Sequence, residues 1–178
     1  MARYSKEKIE TLLNESDDAP NTAVKGAKLE ELVTYLFSKI PHVDFYRSNV
    51  LDGVRAHELD VIFQNDTRKS GLHFLDFTII TECKNTGHRT SSAQVGWFVR
   101  KLQDRGVSSG VLITLSGITG EGDGVNNAHS EILNALIRDK IKVLVIKRED
   151  ILTFQSTDDL IDLLKRKILS ITIERTIV

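Results

Sequence analysis

Three residues in the middle of the chain have the types and spacing for phosphate chemistry. Glu82 and Lys84 close a run, Phe74 to Lys84, rich in aromatic and β-branched residues, which stops at the turn signal Asn85-Thr86-Gly87. Side chains alternate along a strand, so Glu82 and Lys84 share one face and Cys83 takes the other. Asp60 lies where the stretch from His57 to Phe63 turns apolar. The interval from Asp60 to Glu82 holds one strand, a polar turn over Gln64 to Gly71 and a returning strand. Such a long hairpin brings Asp60 beside Glu82 and Lys84. Two carboxylates and a lysine can hold a hard divalent cation and a water next to a phosphate, and oxygen ligands select Mg²⁺ or Mn²⁺ over softer metals. Read as structure alone, the same residues form a salt bridge at a strand terminus, which contributes little to stability.

The elements that must position these residues can be read from periodicity. Gly26 to Ile40 carries Leu29, Leu32, Val33, Leu36, Phe37 and Ile40 at helical spacing and ends before Pro41. Glu30 borders that stripe and Glu31 faces solvent. Val43 to Ser48 reads as a first strand with a turn over Asn49 to Arg55, and Leu59 to Gln64 and Phe74 to Lys84 as the second and third. After the polar loop His88 to Ser92, a helix over Ala93 to Arg105 buries Val95, Phe98, Val99 and Leu102. Gln94, Trp97, Arg100 and Lys101 fall on or near another side, where an aromatic among bases suits a nucleic-acid backbone. The bland alternative is a solvated charged face with Trp97 at the core edge.

Gly110 to Leu115 is a buried strand, and the helix before it implies a parallel crossover. Ser116 to Gly124 is glycine-rich but lacks the Gly-Lys-Ser/Thr ending of a phosphate-binding loop. It reads as a mobile loop beside the site. A helix over Asn127 to Lys140 turns Ile132, Leu133, Leu136 and Ile137 inward, and Lys142 to Ile146 is a further buried strand. Asp150 to Phe154 and Asp158 to Leu169 are helical, and Ile171 to Val178 alternates as an edge strand or a dimer contact would. At the other end, a helix over Ser5 to Asn14 precedes a polar linker, Glu15 to Thr22. The expected organisation is an N-terminal helix and linker over residues 1–22, and one domain over 23–178 with its core at 25–146 and a C-terminal helical extension at 147–178.

Composition limits the classes. A chain of 178 residues with 40% hydrophobic content can bury one sizeable core. It holds no apolar run long enough to span a membrane, and its charged N-terminus is no secretion signal. A single cysteine cannot form an internal disulfide, which fits a cytoplasmic protein. A net charge of −1 confines any nucleic-acid site to a local patch. His57 and His88 have no histidine partner at ligand spacing, so zinc is not expected.

The order helix, three-strand meander, helix, strand resembles the restriction endonuclease-like αβββαβ core of the PD-(D/E)xK nuclease superfamily. That is an α/β fold with a mixed central sheet flanked by helices, here with extra C-terminal helices. The resemblance rests on Gly26-x-x-Leu29-Glu30, Glu58-Leu59-Asp60-Val61-Ile62, Glu82-Cys83-Lys84-Asn85 and Gln94, and it covers about Lys25 to Ile146. Within the superfamily the chain is most similar to the Mrr-like restriction endonucleases, with Leu29 where their helix has phenylalanine. Gln94-x-x-x-Phe98 is similar to the Gln-x-x-x-Tyr motif of the exonuclease branch, without the hydroxyl.

The resemblance implies a Mg²⁺-dependent DNA endonuclease of restriction or defence type, a metal-dependent phosphodiester hydrolase in which Mn²⁺ can substitute. It implies that Asp60, Glu82 and the backbone carbonyl of Cys83 ligate the metal, that Lys84 positions the attacking water or scissile phosphate, that Glu30 holds a water at the metal or a second ion, and that Gln94 orients water or phosphate. Cys83 itself reads as a small core residue. Arg89, Trp97, Arg100 and Lys101 are the candidate DNA contacts. One such site cuts one strand, so duplex cleavage calls for a homodimer. Three other readings compete with this one: a Holliday-junction resolvase, separated by preference for branched DNA; a nuclease fold kept only for DNA or protein binding, separated by failure to bind metal; and an unrelated α/β protein in which all these charges are surface salt bridges.

Overall fold

The computed structural model describes residues 2–51, 58–119 and 128–177. His57, Gly53 and the rest of the turn through Arg55, residues 120–124 of the glycine-rich stretch, and the expected helix start at Asn127 lie outside the described residues.

Two helices open the chain, α1 (Lys6–Asp18) and α2 (Thr22–Ser38). Three strands follow, β1 (Val43–Leu51), β2 (Glu58–Asn65) and β3 (Thr78–Lys84), then α3 (Ser92–Gln103) and β4 (Ser109–Thr114). After α4 (Ala128–Asn134) and a π-helical turn (Ala135–Asp139) come β5 (Lys142–Lys147), α5 (Arg148–Thr153), α6 (Thr157–Leu169) and a second π-helical turn (Ser170–Glu174). The five strands form one sheet in the order β1-β2-β3-β4-β5. β1, β2 and β3 are an antiparallel meander, and β4 and β5 add in parallel through their helical crossovers. This mixed sheet between helices is the α/β architecture of the restriction endonuclease-like fold.

Helices cover both faces of the sheet, so β3, β4 and β5 read as nearly continuous apolar runs. On one face Val61, Phe63, Ile79, Cys83, Val111 and Ile113 pack with Leu29, Leu32, Val33 and Phe37 of α2 and with side chains of α1 and α6. On the other, Ile62, Ile80, Leu112, Val143 and Val145 pack with Val95, Phe98, Val99 and Leu102 of α3 and with Ile132 of α4. Gly110 is where α3 comes closest: a Cβ there would lie 2.7 Å from both Phe98 and Leu102. Gly110→Ala is expected to destabilise the fold by about 1–3 kcal/mol through overpacking, read as a lower chemical-denaturation midpoint with unchanged slope.

Several boundaries differ from the sequence expectations. α1 continues through Asp18 into the expected linker, because Ser16 is a buried polar hinge: its hydroxyl donates to Lys25 O at 2.8 Å and accepts from Asn85 Nδ2 at 2.8 Å. Ile9, Leu12 and Leu13 of α1 sit in the same core as α2. α2 starts at Thr22 rather than Gly26, since the Asn21 side chain accepts from the Val24 N–H as an N-cap.

β3 begins only at Thr78. Upstream, Asp76 accepts from the Ser108 N–H and from the Ser108 and Ser109 hydroxyls, and the Asn65 amide holds the Leu72 and Asp76 carbonyls, which folds 72–77 into turns. The π-helical turn after α4 rotates the helix surface, so Ala135 is buried and Ile137, expected inward, is exposed. Over its described residues, 171–177, the expected edge strand does not form. The helical stripe Leu160, Leu164, Lys167 runs on into Ile171, which is buried, while Ile173 is exposed.

Candidate active site

The β2–β3 register pairs Val61 with Thr81 and Ile62 with Ile80. One further step sets Asp60 across from Glu82. Ile62 and Ile80 face α3, so by alternation Asp60, Glu82 and Lys84 belong to that same side, while Cys83 turns into the core under α2. The pairing beyond Val61 gives way to a side-chain contact: the Cys83 N–H donates to Asp60 Oδ2 at 2.7 Å. Lys84 Nζ lies 2.7 Å from Glu82 Oε1, and Lys101 Nζ, from α3, lies 2.6 Å from Glu82 Oε2. Glu82 is buried and Lys84 is partly open to solvent.

Electrostatics bind these groups into one unit. Burial raises the Asp60 carboxyl from its ordinary 3.8 to about 6; the Glu82 charge adds to this, and the Cys83 N–H, Lys84 and Lys101 oppose it. Glu30 is raised too, first by burial and then by Asp60, Glu58 and Glu82, against a 3.0 Å hydrogen bond from Asn49 Nδ2. Burial alone would lower Lys84, but the ion pair with Glu82 and the charge of Asp60 outweigh it, and its ammonium is held above the ordinary range. The Cys83 thiol is pushed well up by burial and by the surrounding carboxylates, so it is a protonated core group and no nucleophile.

Among the described residues, no three His, Cys, Asp or Glu side chains converge into a ready-made metal cage. The donor set nevertheless fits a hard divalent cation. Asp60 interacts electrostatically with Glu82 and Glu30 and with the ammonium groups of Lys84 and Lys101, and the Glu82 charge adds to burial in raising the Asp60 carboxyl, a repulsion that a cation would relieve.

The other expected residues are placed as follows. Gln94 is not drawn into the cluster: its Oε1 accepts from the Ser91 N–H at 2.9 Å and from the Ser91 hydroxyl, completing a capping box at the start of α3. Arg89 is exposed in the loop after β3. Trp97 is 54% exposed, and Arg100 is exposed and paired with Asp104 at 3.1 Å. Lys101 is corrected: it is no surface DNA contact but a buried ammonium on Glu82. The signal for this was its position three residues after the buried Phe98, on the edge of the apolar stripe.

Sequence reasoning also missed the brace behind Lys84. Asn85 is buried against Ser16, and Asp17 receives Arg148 at 2.6 Å, which ties α1 and α5 to the end of β3.

With sheet order and carboxylate–lysine cluster established, comparison with protein families is decisive. Residues 22–144 match the Mrr catalytic family model, described as restriction endonuclease. The chain belongs to this Mrr restriction endonuclease family. The match runs from the first residue of α2 into β5, so it takes in every element that carries the cluster, while α1, α5 and α6 lie beyond it. Comparison with curated proteins gave no match. As a member of a restriction endonuclease family, the domain is of a nuclease type whose substrate is DNA. No helix among the described residues is long and apolar enough to cross a membrane.

Proposed function

We propose that this chain is a Mg²⁺-dependent DNA endonuclease of restriction type, with Mn²⁺ able to substitute, acting in the cytoplasm as a homodimer. The observation that carries the reading is the meeting of Asp60, Glu82 and Lys84 at the adjoining ends of β2 and β3, around the Cys83 N–H contact to Asp60. Asp60, Glu82 and the Cys83 carbonyl would hold the metal, with Glu30 beside it. The ion, when bound, lowers the pKa of a water and offsets charge building on the phosphate. Lys84 is the mobile cation of the site: paired with Glu82 in the free protein and partly open to solvent, it can turn to the scissile phosphate or the attacking water. Gln94 has its amide nitrogen left for phosphate or water once Oε1 is committed to the α3 cap.

Incubation with supercoiled, linear and branched DNA tests this, each with Mg²⁺, with Mn²⁺ and with chelator. Metal-dependent cutting of linear and supercoiled duplex is expected. A marked preference for branched DNA would make it a junction resolvase, and no cutting with either ion would end the nuclease reading.

Arg89, Trp97 and Arg100 form the DNA-facing surface in this proposal. Trp97→Ala is expected to weaken duplex binding by about 1–3 kcal/mol, seen in fluorescence anisotropy, while the melting temperature barely moves because the indole is half exposed. A collapse of thermal stability would make Trp97 a core residue instead.

A further inference from the structure

Glu82 is a carboxylate with an ammonium on each oxygen. Lys84 takes Oε1 and Lys101 takes Oε2, at 2.7 and 2.6 Å. The two lysines are not equivalent. The Lys84 side chain is 24% exposed and that of Lys101 only 6%. Lys101 stands on the inner side of α3, next to Leu102 and one turn after Phe98, both fully buried. Among the described residues Glu82 is the carboxylate its ammonium pairs with, and Asp60 feels its charge without pairing. Were it to leave, a charge would be stranded in the interior. Lys84 has solvent within reach and can leave.

We propose that Lys101 is a positioning residue: it clamps Oε2 of Glu82, so that Oε1 alone passes between Lys84 and a divalent cation. This rests on the nuclease reading above and deepens it. The clamp has two consequences. It fixes the plane of the Glu82 carboxylate from the helix side, preventing bidentate capture of the ion through both oxygens. It also leaves the Lys101 ammonium beside the carboxylates that would hold the ion, so the protein alone would hold the cation weakly, and the negative charge of a DNA phosphate is needed to hold it well. Lys101 thereby couples metal binding to substrate binding without touching DNA.

The test is Mn²⁺ titration by calorimetry on the full chain without DNA, alongside plasmid cleavage at saturating Mn²⁺. It compares the wild type with Lys101→Met and Lys101→Gln. Lys101→Gln keeps a hydrogen-bond donor and drops the charge, and it stands in if Lys101→Met does not fold. Loss of a unit charge at this distance is expected to tighten Mn²⁺ binding by about tenfold or more. Cleavage at saturating Mn²⁺ falls by about tenfold or more, because Oε2 is released to the ion and the attacking water is misplaced. A lysine that only fills space would leave Mn²⁺ affinity unchanged. Affinity unchanged or weakened, or cleavage at the wild-type rate, overturns the proposal while the nuclease reading stands. A wild-type chain that neither takes up Mn²⁺ nor cuts DNA overturns the nuclease reading, and this proposal with it.

Discussion

Replacing Glu82 with glutamine, or Lys84 with methionine, abolishes metal-dependent DNA cleavage while the protein stays folded. Glu82→Gln keeps the shape and an acceptor for Lys101, but it leaves that buried ammonium without its counter-charge, so a lowered melting temperature accompanies the loss of cutting. It removes the one buried carboxylate opposite Asp60, and with it much of the charge that would hold a divalent ion. The expected loss is at least about 10³-fold in cleavage rate, the scale of removing a main electrostatic stabiliser of a transition state. Lys84→Met leaves Glu82 with Lys101 and a free Oε1. It should keep metal affinity, or raise it, and lose chemistry. The two variants therefore separate in calorimetry with Mn²⁺ and coincide in a plasmid-nicking assay. Circular dichroism and a thermal melt check the fold. Wild-type cutting by either purified variant would remove the mechanism.

The metal-free protein becomes less stable as pH rises from about 4 to about 7, and Mg²⁺ removes the trend. Asp60 is raised from 3.8 to about 6, chiefly by burial and then by Glu82. Its proton is thus bound more tightly in the folded state than in the unfolded chain. The stabilisation it brings is complete below the unfolded pKa and is lost as pH climbs through the folded one. The effect amounts to at most about 3 kcal/mol. Glu30 is raised and acts in the same direction. Asp66 and Asp159 are lowered and act oppositely, but their effect falls below the window, as the pH drops under the ordinary carboxylate range. Urea midpoints at pH 4.5 and 7, each with EDTA and with Mg²⁺, measure this. A metal-free midpoint that rises with pH would show that burial and the Glu82 charge do not hold the Asp60 carboxyl above its ordinary range. The Asp60→Asn variant should show a smaller fall across the window, the part that Glu30 contributes.

Much of the scaffold was legible before any coordinates. The stripe of α2, the meander, the crossover helix α3 and the buried runs of β4 and β5 follow from a single hydrophobic period in each element, and the antiparallel pairing of the meander and the parallel crossover to β4 follow from connection length. Asp60, Glu82 and Lys84 were legible for the same reason: a hairpin with period two leaves few places for them. Less was legible where a side chain far away in sequence decides. Phe74 to Phe77 has strand-like composition, yet Ser108 and Ser109 bond Asp76 and draw the segment into a turn. Ile171 and Ile173 alternate like strand residues, yet α6 carries the chain past Ser170 on its own helical period.

The sequence by itself determined the element order, the two-faced apolar sheet and the presence of two acids and a lysine at the ends of neighbouring strands. These are local consequences of side-chain periodicity, and they survive small errors in boundaries. Only the tertiary structure decided which charges meet. Lys101 reads as a surface base on α3 because a helical wheel measures angle and not depth. Packed against the sheet, the same residue reaches the Glu82 carboxylate from above, and its charge enters the site rather than the solvent. Likewise Ser16, Asp17 and Arg148, distant in the chain from Asn85, meet behind the end of β3 only because α1 and α5 pack on one face of the sheet.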